Sequence, residues 1–116
     1  MKVVVQRAGT SSVTVNEKCV GKIDSGLVLL VAFKETDTID TINYMVKKIV
    51  NLRIFPDEAG IMNKSILDYG GSILSISQFT LYGDATKGNR PSYIMAAKGE
   101  ISKPLYDKFN ELLEEY

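Results

Sequence analysis

The longest apolar run of the chain, residues 27–33 (LVLLVAF), places the strongest constraint on the fold. Apolar side chains on both faces are typical of a strand that is covered on both sides, so a central strand is predicted here. Three shorter strand-like segments precede it, at residues 1–7, 12–15 and 20–23, with turn residues between them. Four short strands at this spacing predict a meander or part of a barrel.

Two helices are predicted from apolar periodicity and capping residues. Thr36, Asp37 and Thr38 supply N-cap chemistry for the first helix. Ser102 is predicted to cap the second, with Pro104 in its first turn. The apolar stripes are Ile39, Ile42, Met45, Val46 and Ile49 in the first helix and Leu105, Phe109, Leu112 and Tyr116 in the second. Together the elements predict one α+β domain, in which mostly antiparallel sheets form a barrel-like sandwich with two helices packed on it.

The composition excludes several kinds of site. The chain has no histidine, so it cannot hold a Ser-His or Cys-His nucleophilic pair. With the single Cys19 it offers neither an internal disulfide nor the usual ligands of a catalytic zinc, and no metal or cofactor is expected. No apolar run is long enough to span a membrane, and the N-terminus lacks a signal-peptide layout, so a cytoplasmic location is expected.

The charge of the chain is balanced, with 14 basic and 14 acidic side chains. A nucleic-acid-binding domain is usually basic overall, so this balance does not by itself indicate such a partner. If RNA is the partner, the positive charge must be local, and the candidate cluster is residues 87–90 (KGNR). A solvated loop is the alternative interpretation of that cluster.

A polar stretch at residues 77–84 (SQFTLYGD) follows a short apolar strand at residues 73–76. Side chains alternate along a strand, so Gln78 and Thr80 are expected to share one face with Leu74. This pattern predicts a strand that delivers hydrogen-bonding groups to an edge of the core. The alternative is a strand that simply leaves the core toward a turn, with its polar residues in water.

Four separate stretches, in this order along the chain, resemble the D-aminoacyl-tRNA deacylase family. Residues 3–8 (VVVQRA), 48–55 (KIVNLRIF) and 87–92 (KGNRPS) agree with the family in order and spacing. Residues 77–83 (SQFTLYG) are similar to its SQxxLxG signature. The resemblance covers essentially the whole chain, and four ordered matches are far more specific than one short pattern.

The resemblance implies a metal-free ester hydrolase that acts in chirality proofreading during translation. Its substrate would be tRNA charged with a D-amino acid or with glycine, and its products would be free tRNA and the amino acid. In this family the ribose 2′-hydroxyl is thought to assist the attack, which agrees with a sequence that has no histidine. The resemblance also implies a homodimer.

The signature residues receive specific expected roles. Thr80 is the first catalytic candidate, because its hydroxyl can position water, whereas no histidine is present to activate it as a nucleophile. Ser77 and Gln78 are expected to hold the segment or contact the substrate. Backbone N–H groups near Phe79 and Thr80 are expected to stabilise the oxyanion. Phe79 and Leu81 are expected to bind substrate, Phe79 by stacking on adenine unless it is a core residue.

Three basic residues outside the signature, Arg7, Lys87 and Arg90, are expected to meet phosphate groups of the tRNA. Such contacts position a nucleic acid without reading its sequence. Ordinary surface charge or pairing between subunits is the alternative for all three.

Two other functions remain open from the sequence. One is a Thr-dependent esterase that acts on a small ester, with Lys87 or Asp84 as its base. The other is a non-catalytic module for RNA binding or dimerisation.

The C-terminal end of the sequence departs from the family. The resemblance implies further strands with an Asn-x-Gly-Pro-x-Thr motif, which the family uses to reject L-amino acids across its dimer. No Gly-Pro pair occurs here, since the only prolines are Pro56, Pro91 and Pro104. Three glutamates also crowd the end of the second helix, where the helix dipole favours cations: Glu111, Glu114 and Glu115. The chain is therefore expected to be shorter than its family and to lack the element that selects chirality.

Overall fold

The computed structural model describes residues 1–116 as a mixed α+β domain built from seven strands, three α-helices and one 3₁₀ helix. The strands are β1 (Lys2–Ala8), β2 (Ser11–Val15), β3 (Lys18–Ile23), β4 (Gly26–Ala32), β5 (Phe55–Pro56), β6 (Met62–Lys64) and β7 (Ser72–Ser77). The helices are α1 (Ile39–Asn51), α2 (Ile66–Tyr69), α3 (Gly99–Glu114) and the 3₁₀ helix Phe79–Tyr82.

The main sheet has the order β1-β4-β7, which confirms that the longest apolar run forms a central strand. Strand β1 runs antiparallel to β4, with Lys2 opposite Ala32 and Arg7 opposite Leu27. Strand β7 runs parallel to β4, with Leu27 opposite Ile73, because α1 lies on the long connection between them. Two hairpins, β2–β3 and β5–β6, form separate antiparallel sheets, so the predicted barrel is not closed.

The core lies between one face of the main sheet and the two long helices. Leu29 and Val31 of β4 are fully buried, as is Ile42 of α1. Phe109 of α3 is also fully buried and meets Phe33 edge to face, with ring centroids 6.5 Å apart. Each such side chain contributes about 1.5–3 kcal/mol when it leaves water, so this layer supplies most of the stabilisation.

Local capping explains where two of the helices begin. The predicted cap of α1 is confirmed, since Thr38 precedes the helix and its N–H donates to Thr41 Oγ1 at 3.3 Å. The short helix α2, which the sequence did not indicate, is capped by Ser65, whose hydroxyl accepts from the N–H of Asp68. It ends at Gly70 in the left-handed conformation.

The predicted start of the last helix was wrong. Helix α3 begins at Gly99, because the carbonyl of Lys98 already accepts hydrogen bonds from the N–H groups of Ile101 and Ser102. Pro104 therefore lies inside the helix, where its missing N–H leaves one intrahelical bond unmade. Tyr116, which was predicted to lie on the apolar stripe of this helix, is 59% exposed.

None of the helices is both long and apolar enough to cross a bilayer.

Gly26→Ala is expected to destabilise the domain severely, because Gly26 has φ +146° and a Cβ there would lie 1.8 Å from the carbonyl oxygen of Ser72. The β4–β7 junction cannot accommodate it, so the free energy of unfolding should fall by more than about 2 kcal/mol. Urea unfolding followed by circular dichroism measures the change. Gly9→Ala is the matched control, since nothing lies within 4 Å of its Cβ position; equal midpoints for both variants would contradict the prediction.

Candidate active site

The signature segment changes from strand to 3₁₀ helix at Gln78. The N–H of Gln78 donates to the carbonyl of Val31 at 2.7 Å, and β4 ends one residue later at Ala32. The chain has no further strand partner there, so the predicted strand alternation through Thr80 was wrong. The turn nevertheless brings the two side chains together, because Gln78 Nε2 donates a hydrogen bond to Thr80 Oγ1.

Two backbone amides in this turn have no hydrogen-bond acceptor. The N–H of Leu81 donates to the carbonyl of Gln78 at 3.2 Å, and that of Gly83 donates to Thr80 at 2.9 Å. The N–H groups of Phe79 and Thr80 have no such partner, as expected at the start of a helix. Both residues are exposed, and the Thr80 hydroxyl belongs to the same turn. An oxyanion could be bound at this position.

Phe79 is not a core residue, because 57% of it is exposed. Its ring meets Tyr93 edge to face, with centroids 5.4 Å apart and an interplanar angle of 72°. Gly83 allows this arrangement, since a Cβ there would lie 3.0 Å from the ring of Tyr93. The sequence did not single out Tyr93, because only the fold of the long loop brings it to the signature.

Lys2 is a second residue that the sequence analysis missed. Its Nζ donates to the carbonyl of Leu81 at 3.4 Å and lies 4.8 Å from the centre of the Tyr82 ring. Tyr82 is buried, which raises the pKa of its hydroxyl, and the nearby charge of Asp37 raises that pKa further. Pairing of β1 with the end of β4 is what carries Lys2 to this place, and no local pattern indicates it.

The basic cluster lies on a closed loop next to the signature. Asp84 and Ser92 exchange two backbone hydrogen bonds of 2.8 Å, and the loop between them presents Lys87 and Arg90, both exposed and without an acidic partner. The carboxylate of Asp84 accepts the N–H of Thr86 at 2.9 Å, which lowers the pKa of Asp84. A carboxylate with a lowered pKa is a weak base, so the geometry disfavours Asp84 in that role.

Arg7 is the predicted site residue that the structure does not bring to the signature. The register places it opposite Leu27, five positions along β4 from Ala32, which corresponds to about 16 Å along a strand. Its guanidinium donates to the carbonyl of Ile54 at 2.9 Å, beside a shallow groove of about 400 Å³. Within one chain Arg7 therefore lies at the opposite end of the sheet.

Two further predicted residues have simpler surroundings. Ser77, at the end of β7, is exposed and its hydroxyl makes no hydrogen bond. Leu81 is half-buried in the 3₁₀ helix, where its N–H donates to Gln78 and its carbonyl accepts from Lys2. No three His, Cys, Asp or Glu side chains lie close enough together to hold a metal ion. The site therefore consists of two free amides, a Gln–Thr pair and an exposed aromatic ring.

A family model described as D-Tyr-tRNA(Tyr) deacylase matches residues 4–116. The chain belongs to this deacylase family. The D-aminoacyl-tRNA deacylase of Bacteroides thetaiotaomicron is 57% identical over 109 residues, which are 94% of this chain and 73% of that protein. The D-aminoacyl-tRNA deacylase of Halalkalibacterium halodurans is 55% identical over 115 residues, which are 99% of this chain and 79% of that protein.

Two solved structures support the fold of this deacylase chain. The c-Myc DNA unwinding element binding protein superposes with a TM-score of 0.93 at 40% identity, over 99% of this chain and 77% of the other. A probable eukaryotic D-amino acid tRNA deacylase superposes with a TM-score of 0.81 at 21% identity, over 96% of this chain and 65% of the other. At that identity the second likeness concerns the fold alone.

The bond between Asp84 and Thr86 makes the basic loop of this deacylase sensitive to acid. The folded loop lowers the pKa of Asp84 below its ordinary value of 3.8. The hydrogen bond from Thr86 to the Asp84 carboxylate therefore stabilises the loop fully above pH 3.8. This stabilisation is lost as the pH falls through the lower pKa of the folded state. The amide proton of Thr86, followed by NMR across acidic pH, should show a transition below that pH. Asp84→Asn should remove the transition, and a midpoint at or above the ordinary value would contradict the prediction.

Proposed function

We propose that this chain hydrolyses the ester bond between a D-amino acid, or glycine, and the terminal adenosine of tRNA. The reaction releases free tRNA and the amino acid and so removes wrongly charged tRNA during translation. Membership of the deacylase family supports the reaction class. The structural observation that carries the proposal is the pair of unoccupied amides, at Phe79 and Thr80, beside the Thr80 hydroxyl.

The free amides suit the charge that develops during ester hydrolysis. An aminoacyl ester is already activated, so the protein mainly has to position it and stabilise the oxyanion. The N–H groups of Phe79 and Thr80 are adjacent along the chain and have no acceptor within the protein, so both remain available to such an oxygen. Removal of one such donor typically costs about 100-fold or more in rate, so two donors account for a substantial acceleration.

The hydrogen bond between Gln78 and Thr80 supports a role for the Thr80 hydroxyl as a hydrogen-bond donor. Because Gln78 Nε2 donates to Thr80 Oγ1, the hydroxyl hydrogen is left to donate to a third group. We place that group on the substrate or on the attacking water, which makes Thr80 a positioning donor rather than a base. Ser77, with a free and exposed hydroxyl at the strand end, is a further contact for the aminoacyl group.

Water is the nucleophile in this proposal, and the ribose 2′-hydroxyl assists its attack. The water oxygen forms a bond to the ester carbonyl carbon, and the tetrahedral intermediate places its negative oxygen at the two amides. The bond from that carbon to the ribose oxygen then breaks. Of the two protons of the attacking water, one passes to the ribose oxygen and the other is released to solvent, so the amino acid leaves as its carboxylate. No histidine is needed, because the substrate supplies the neighbouring hydroxyl.

The surroundings of the site suit the single-stranded end of tRNA. Phe79 presents a face beside Tyr93 on which the terminal adenine stacks, and Leu81 lines the same turn. Lys87 and Arg90 on the closed loop contact backbone phosphates, which positions the RNA without reading its sequence.

A homodimer is part of the proposal. Arg7 lies at the far end of the sheet from the signature turn of its own chain. It would therefore contact tRNA, or a site residue, that is bound at or belongs to the second subunit.

A non-catalytic RNA-binding module is the second candidate function. The observation that favours it is that the exposed residues Phe79 and Thr80 line none of three cavities of the chain, and of the signature only Ser77 lines one of them. Incubation with D-Tyr-tRNA and L-Tyr-tRNA separates the candidates. Release of D-tyrosine above the rate without protein supports hydrolysis. Binding of tRNA without release of either amino acid supports the second candidate.

Thr80→Val should lower kcat/KM for D-Tyr-tRNA by about 100-fold, because the side chain keeps its shape and loses the donor. Thr80→Ser, which retains the hydroxyl, should stay within about tenfold of the original, and it is the matched control. Initial rates of amino-acid release give both values. Full activity of Thr80→Val would show that the hydroxyl takes no part in the reaction.

Phe79→Leu should raise KM for D-Tyr-tRNA by about tenfold with little change in kcat, because base stacking contributes about 1–3 kcal/mol of binding. Tyr93→Leu should have a smaller effect, since Tyr93 meets Phe79 only edge to face. Steady-state kinetics on both variants test this difference. Equal effects of the two substitutions would argue that the aromatic pair merely supports the loop.

A further inference from the structure

The 3₁₀ helix that carries the two free amides is short and has few internal hydrogen bonds. It spans Phe79–Tyr82, and the N–H groups of Leu81 and Gly83 donate to the carbonyls of Gln78 and Thr80. The carbonyl of Leu81 accepts no backbone hydrogen bond. Because hydrogen-bond geometry in a 3₁₀ helix is poorer than in an α-helix, the orientation of this turn depends on contacts from outside it.

Lys2 makes such a contact with the C-terminal end of the 3₁₀ helix. The strand register places Lys2 opposite Ala32, the last residue of β4, and β4 lies between β1 and β7 in the sheet. The lysine side chain therefore reaches past the end of β4 to the turn that follows β7. There its Nζ donates to the carbonyl of Leu81 at 3.4 Å, the one hydrogen bond that this carbonyl accepts.

The same ammonium group also lies against the ring of Tyr82, the last residue of the 3₁₀ helix. Its Nζ is 4.8 Å from the centre of the ring, within the distance of about 6 Å at which a cation is attracted to an aromatic face. Tyr82 is buried, so its ring is a fixed surface. No carboxylate forms an ion pair with Lys2, and the contacts of its ammonium group within the protein are therefore directed at this turn.

The contacts of Lys2 and the free amides lie at opposite ends of the same helical turn. In a helix the carbonyl groups point toward the C-terminal end and the N–H groups toward the N-terminal end. Leu81 follows Thr80 directly, so a rotation of the Leu81 carbonyl away from Lys2 changes the direction of the amides one and two residues earlier. Holding one end of so short a helix therefore holds the other end as well.

We infer that Lys2 is a positioning residue for the candidate active site. Its contacts with Leu81 and Tyr82 hold the 3₁₀ helix in one orientation, which fixes the direction of the two free amides. This inference rests on the function proposed for those amides, because a donor stabilises an oxyanion best when its direction is set before the reaction. Lys2 itself neither touches the substrate nor transfers a proton in this role.

A phosphate contact is the other role open to an exposed lysine beside an RNA site. The two roles predict different kinetics. Loss of a phosphate contact weakens binding and raises KM, whereas loss of a group that positions the catalytic amides lowers kcat with little change in KM. The geometry favours positioning, since the ammonium group of Lys2 already contacts a carbonyl and a ring of the protein.

Lys2→Met tests the inference by kinetics, because methionine keeps an unbranched side chain and lacks the ammonium group. This variant should lower kcat for D-Tyr-tRNA by about tenfold or more and change KM by less than about threefold. Lys2→Arg, which keeps a cationic donor, should stay within about threefold of the unmodified protein in both constants. Lys22→Met is the matched control, because Lys22 is exposed on β3 without an ion pair and its replacement removes the same charge.

Three kinetic results would overturn the inference. A higher KM with unchanged kcat in Lys2→Met would identify Lys2 as a phosphate contact. Equal constants for Lys2→Met and Lys22→Met would show that only the total charge matters. An arginine variant as slow as the methionine variant would show that a cationic donor at this position does not hold the turn.

NMR tests the contact itself, whether or not the chain hydrolyses D-Tyr-tRNA. The ring of Tyr82 should move the ε-methylene protons of Lys2 upfield of those of Lys22, and Lys2→Met should shift the amide resonances of Phe79 and Thr80 but not those of α1. Coincident ε-methylene resonances, or signature amides that do not respond, would overturn the inference even in an active protein. If both NMR effects appear and the unmodified protein releases no D-tyrosine, the proposed hydrolysis fails and the hold of Lys2 on the turn stands.

Discussion

The parallel pairing of β4 with β7 is the constraint on which the rest of the structure depends. Strand β4 is buried on both sides of its length and ends at Ala32, so β7 loses its partner after the N–H of Gln78 has bonded to Val31. A backbone without a strand partner must satisfy its polar groups differently, and here it turns into a 3₁₀ helix. The two amides left free by that turn, at Phe79 and Thr80, are the centre of the candidate active site.

Basic side chains from two separate parts of the chain, β1 and the loop between Asp84 and Ser92, lie beside this site. Lys2 arrives because β1 pairs with the end of β4, and the loop that carries Lys87 and Arg90 is closed beside the turn by Asp84 and Ser92. The zero net charge of the chain therefore does not exclude an RNA partner, because local concentration of cations matters more than their sum. The same geometry keeps Arg7 away from the site, at the other end of β1.

The free edge of β7 follows from the same topology. Since β4 occupies the centre of a three-stranded sheet, one side of β7 must remain open unless another strand covers it. The relatives that match this chain are longer, with 73% to 79% of their length aligned in the two described above.

The sequence by itself determined the features that depend on short-range physics. Apolar periodicity predicted the central strand and the face of α1, Thr38 marked the start of that helix, and the signature identified the family. The sequence could not determine where β7 ends. That end depends on the length of β4, and β4 is distant from β7 along the chain. The capping pattern also predicted the start of α3 wrongly, at Ser102, whereas the helix begins at Gly99.

Only the tertiary structure decided which residues meet at the site. Strand register separates Arg7 from Thr80 and carries Lys2 to Leu81, and loop closure brings Tyr93 to Phe79. These placements depend on hydrogen-bonded pairing between segments that are far apart in sequence. A local sequence pattern contains information only on residues that lie within a few positions of one another.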